Sequence, residues 1–72
     1  MDIRFENTDT NFTNGLIRHV IKNYTGIIPR VGEEVRLLDV DDGGPVREVQ
    51  CVGHFIRENS HEVCVYLFVT EL

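Results

Sequence analysis

The sequence predicts a mainly β fold, with α+β as its variant. The expected form is a small, partly open barrel of four to five antiparallel strands and one short helix near residues 15–24. Three observations carry this. Residues 2–6 alternate strictly between apolar and charged side chains. Two long β-rich runs, residues 46–57 and 61–69, flank the turn residues Glu58-Asn59-Ser60. The chain has only 72 residues, which suits one small domain spanning 1–72 and leaves no room for a cleft between two halves.

In chain order, Ile3 and Phe5 point one way and Asp2, Arg4 and Glu6 the other, the pattern of a half-buried strand. Residues 7–14, NTDTNFTN, are polar and turn-rich and read as a loop. Leu16, Ile17, Val20, Ile21 and Tyr24 follow helical spacing, with Arg18, His19, Lys22 and Asn23 on the opposite side. The adjacent apolar pairs Leu16-Ile17 and Val20-Ile21 fit a two-residue alternation badly. Thr13 suits an N-cap and Gly26 a C-terminal turn, so a short helix is favoured over a bulged strand. Pro29 marks a connection, because it cannot donate to a strand ladder. Val31, Val35 and Leu37 then share a face opposite Glu34 and Arg36, giving a further strand. The acids and glycines of residues 39–45 form a turn.

The final hairpin is the most informative segment. With Asn59-Ser60 at its turn, Arg57 faces Glu62 as an ion pair. One face then carries Val52, His54, Ile56, Val63, Val65, Leu67 and Val69, and the other Val49, Cys51, Phe55, Cys64, Tyr66 and Phe68. Both faces are apolar, unlike a sheet wetted on one side. One face belongs in the interior. The other is either covered by residues 16–24 or left as a binding surface.

This register separates Cys51 and Cys64 along the strands, which disfavours a disulfide. The pair Cys51-x-x-His54 and His61-x-x-Cys64 matches zinc-ligand types. Strand alternation sends the thiols and imidazoles to opposite faces, so no metal site is assigned. No cofactor motif or catalytic signature is present, and the expectation is a protein that is not an enzyme.

Twelve acidic and seven basic residues give a formal net charge of −5, which argues against nucleic-acid binding by electrostatic grip. The longest apolar stretch, Val63–Val69, is too short for a membrane span. The first residues lack a secretory pattern, and the chain reads as a complete cytoplasmic protein. The candidate contact surface comprises Phe55, Tyr66 and Phe68 with the acidic turn Asp39, Asp41 and Asp42. An anionic small molecule or nucleotide held by Arg30, Arg36 or Arg47 is the second reading. An acidic nucleic-acid mimic is the third.

Residues 28–37, IPRVGEEVRL, followed by Val49-x-Cys51-Val52-Gly53-His54 and Val63-x-Val65-Tyr66-Leu67, resemble short SH3-like small-barrel proteins of bacterial, prophage and phage origin. The resemblance covers residues 28–72. Those proteins are of unknown function, and the resemblance implies a small barrel of mobile-element origin. The two apolar hairpin faces in so short a chain point to a non-catalytic binding module, an accessory or inhibitor protein with a protein partner or self-association. The resemblance carries over no catalytic residues.

Overall fold

The computed structural model describes residues 1–7, 18–38 and 46–70. Among them are five strands: β1 (Asp2–Asn7), β2 (Arg18–Ile21), β3 (Glu34–Val35), β4 (Arg47–Arg57) and β5 (Ser60–Val69). They form one sheet in the order β2-β1-β5-β4-β3, curled into a half-barrel. The fold is therefore mainly β, as the alternation predicts.

Two parts of the expectation need correction. The sheet is mixed rather than wholly antiparallel, because β1 runs parallel to β5 from Asp2↔Glu62 to Asn7↔Leu67. The expected helix near residues 15–24 is absent over its described part, where Arg18–Ile21 forms β2. Four register pairs join β2 to β1, from Ile3↔Ile21 to Glu6↔Arg18. A short isolated helix nucleates poorly, and Val20 and Ile21 are β-branched, so pairing with β1 outweighs the helical spacing. Thr13 and residues 15–17 lie outside the described residues. Gly26 does not close a helix. A Cβ there would stand 2.6 Å from Cζ of Tyr24, so glycine makes room for the tyrosine ring. The Tyr24 hydroxyl donates to the carbonyl of Ile27 at 2.8 Å.

The concave face holds the core. Ile3, Phe5, Val49, Val63, Val65 and Leu67 are buried there with Leu37, and Ile21, Tyr24, Ile28, Val35 and Val52 pack against them. Sheet order explains the cover. β2 and β3 lie at opposite edges, so the connection between them must cross the sheet. It supplies Tyr24 and Ile28 as it does so. The Tyr24 amide is tied to the Met1 carbonyl at 2.7 Å, and the Gly32 amide to the Val49 carbonyl at 3.0 Å. Before β3 the chain turns from Arg30 to Glu33, with a 3.0 Å bond from the Glu33 amide to the Arg30 carbonyl. Gly32 occupies the third position of that turn with φ 91°, which a side chain would strain.

The β4–β5 hairpin dominates the molecule, whose extents are 41 × 20 × 20 Å. An 11-residue strand such as β4 covers about 35 Å of that length. Its turn is Glu58-Asn59, closed by Arg57↔Ser60, so the register is shifted by two residues from the expected one. Arg57 therefore does not face Glu62; Phe55 does. A shift of two preserves side-chain parity, and the expected face assignment holds for residues 51–57 and 60–69. Val49 is the exception. A bulge between Val49 and Cys51 inserts Gln50, changes the phase of the alternation and turns Val49 into the concave core.

Candidate functional site

The convex face carries side chains that sheet pairing brings together from distant parts of the chain. β1 contributes Asp2, Arg4 and Glu6, and its parallel pairing sets Arg4 beside Cys64 and Glu6 beside Tyr66. β4 contributes Cys51, Gly53 and Phe55, opposite Tyr66, Cys64 and Glu62 respectively. Arg4 is the hub. Its Nη1 lies 3.3 Å from Oε1 of Glu62, and its Nε lies 3.7 Å from Oε1 of Glu6. Its guanidinium carbon stands 6.0 Å from the centre of the Phe55 ring, at the outer range of a cation–π contact. Arg18 of β2 adds a 3.0 Å contact from Nε to the same Glu6 oxygen.

Cys64 is fully buried beneath this cluster, with its thiol 3.8 Å from Oε2 of Glu6. A hydrogen bond with that thiol raises the Tyr66 phenol above its ordinary value, aided by the negative potential of Cys64, by burial and by Glu6, while Arg4 opposes the shift. The same sulfur, through a hydrogen bond, is the leading cause that raises the Arg4 guanidinium; burial opposes it, and Glu6 and Glu62 assist. Arg4 is therefore cationic at any working pH, and Tyr66 is a neutral phenol at neutral pH.

Of the aromatic trio read from the sequence, Phe55 and Tyr66 converge. A Cβ at Gly53 would lie 3.4 Å from Phe55 and 3.8 Å from Tyr66, so both rings hang over that glycine. Phe55 is 50 % exposed, and Tyr66 is half-buried. Phe68 is half-buried farther along the same face, opposite Glu48. Beside Phe55 an open pocket of about 420 Å³ is lined by Asp2, Arg4, Phe55, Arg57, Ser60, His61 and Glu62. Asp39, Asp41 and Asp42 lie outside the described residues.

Arg30 and Arg36 are exposed, flanking β3, whereas Arg47 is fully buried between Val35 and Val69 on the concave side. The cysteine–histidine pattern is split as the alternation predicts. Cys51 and Cys64 are free thiols on the convex face. His54 and His61 sit on the other face, where Nδ1 of His54 and Nε2 of His61 share a 3.0 Å hydrogen bond between rings inclined by 22°. Among the described residues no group of three or more His, Cys, Asp and Glu side chains could hold a metal ion.

Arg4, Glu6, Cys64 and Glu62 are site residues that the sequence reading missed. The alternation of residues 2–6 exposes Arg4 and Glu6 on one face. Nothing in the sequence shows that β1 runs beside β5.

Comparison with known proteins adds no relative: no family model, curated protein or solved structure matches this chain. No helix among the described residues is long and apolar enough to cross a membrane.

Proposed function

We propose that this chain is a non-catalytic protein–protein binding module whose contact surface is the convex strip Arg4–Phe55–Tyr66 and the pocket beside it. The observation that carries the reading is the half-exposed Phe55 ring, placed over Gly53 and flanked by Arg4. Aromatic and arginine side chains are enriched among the residues that anchor protein interfaces. A chain of this size has little interior for chemistry, and a surface strip needs none.

Charge separates this reading from an anionic ligand. The pocket offers Arg4 and Arg57, and Asp2 and Glu62 balance them. Arg4 already faces Glu6 and Glu62, so the pocket has no positive excess for a nucleotide to exploit. The acidic-mimic reading would need the acidic residues gathered on one face, and they are spread along the chain. The mobile-element setting of an accessory or inhibitor role, in the cytoplasm of a bacterial or phage-infected cell, rests on the sequence resemblance.

The test is paired affinity capture from host extract with the wild-type chain and Phe55→Ser as baits. The proposal expects a partner held by the first and lost with the second. Equal capture by both baits overturns the strip. A thermal shift with a nucleotide panel, reversed by Arg30→Ala or Arg36→Ala, would favour the small-molecule reading instead.

A further inference from the structure

We infer that the open edge of β4 is a strand-addition site for a second copy of this chain. The inference goes beyond the convex strip, because it concerns the backbone of one edge rather than the side chains of one face.

β3 is two residues long and pairs only with Arg47 and Glu48, through Val35↔Arg47 and Glu34↔Glu48. Beyond the Val49 contacts with Gly32 and Glu33, no strand among the described residues pairs with Cys51–Arg57 on that side. The direction of the backbone groups follows from the turn. Arg57 and Ser60 close a two-residue loop and exchange hydrogen bonds across the hairpin. Alternation then turns the N–H and C=O of Phe55 and Gly53 towards β5 and those of Ile56, His54 and Val52 outwards. The Val49 bonds to the opposite side agree with this, since the bulge changes the phase. Three residues thus present six backbone groups along an edge that carries no proline and no lysine.

That edge is complementary to itself. An antiparallel pairing centred on His54 sets Val52 against Ile56 of the second copy and Ile56 against its Val52. All six outward groups are then satisfied by six hydrogen bonds. Val52 and Ile56 point to the concave side, and Ile56, 72 % exposed in the single chain, gains an apolar neighbour. Charge fits as well. Glu34 and Glu48 sit directly opposite each other, a repulsive pair, and neither takes part in an ion pair among the described residues. In this register Arg57, opposite Cys51 of the second copy, arrives next to that acidic pair. The two half-barrels would share one continuous sheet, and each convex strip would stay in place.

Sedimentation equilibrium over a concentration series is the test, with wild type, His54→Pro and Arg57→Glu. Proline is tolerated on an edge strand where the N–H faces away from the sheet, so His54→Pro blocks pairing without removing a hairpin bond. The expected results are a wild-type mass of twice the chain, a monomeric His54→Pro with unchanged circular dichroism, and a severalfold weaker Arg57→Glu dimer. A wild type that stays monomeric at its highest soluble concentration overturns the inference, as does a His54→Pro that still dimerises. Should the proline variant fail to fold, amide exchange in the wild type decides. Protection of Val52, His54 and Ile56 that rises with concentration supports the pairing, and concentration-independent exchange refutes it. Tyr66→Ser, a strip substitution on β5 away from the pairing edge, separates the two surfaces. Loss of captured partner with the dimer intact supports the inference independently of the strip, and loss of the dimer in a folded Tyr66→Ser overturns the edge pairing.

Discussion

The base and the tip of the β4–β5 hairpin are built from the same kind of sequence and end in opposite states. At the base, Arg47 and Val49 are buried, β3 covers the edge and Leu67 is fully enclosed. At the tip, every residue of β4 from His54 to Arg57 is exposed, although Phe55 and Ile56 are as apolar as their counterparts below. Composition does not separate these halves; neighbours do. The crossing segment delivers Tyr24 and Ile28 to the concave face, Leu37 joins them just after β3, and β3 ends after two pairings. What is core at one end of a strand is available surface at the other.

The largest expected effect contrasts two apolar truncations. Leu67→Ala removes a fully buried side chain from the core and should cost about 3 kcal/mol in urea unfolding. Ile56→Ala, at the exposed tip, should stay within about 0.5 kcal/mol when measured on the monomer. Comparable losses would erase the distinction between base and tip. A smaller effect comes from the crossing segment that creates the base. Gly32→Ala places a side chain at φ 91° and should cost about 1 kcal/mol by the same assay.

The mildest effect is a titration. The Tyr66 phenol is raised in the folded protein, chiefly by its hydrogen bond with Cys64. A group that holds its proton more tightly when folded adds stability below its unfolded value of 10.0, and that stability is lost as pH rises through the folded value. Stability should therefore fall more steeply above pH 10.0 in the wild type than in Tyr66→Phe. Parallel curves would remove Tyr66 from the convex cluster.

The sequence reading and the structure agree where period-two alternation is strong, and diverge where pairing is non-local. Residues 2–6 form the half-buried strand their alternation predicts, and the hairpin faces survive a two-residue shift because parity does. Val49 changes face because a bulge has no distinct signal in the run VQCVG. Val20 and Ile21 match helical spacing in isolation, and only pairing with β1 makes them a strand. The aromatic half of the candidate site, Phe55 and Tyr66, could be read from the hairpin alone. Its charged half, Arg4 with Glu6 and Glu62, depends on a parallel contact between residues about 60 positions apart, which periodicity cannot reveal.

The central claim is that the tip is kept for contact rather than for folding. The most direct test is the urea unfolding free energy of Phe55→Ser. A loss of about 1 kcal/mol or less is predicted, because the ring is 50 % exposed. A loss of about 3 kcal/mol or more, the scale of a buried aromatic, would make Phe55 part of the core and contradict the account.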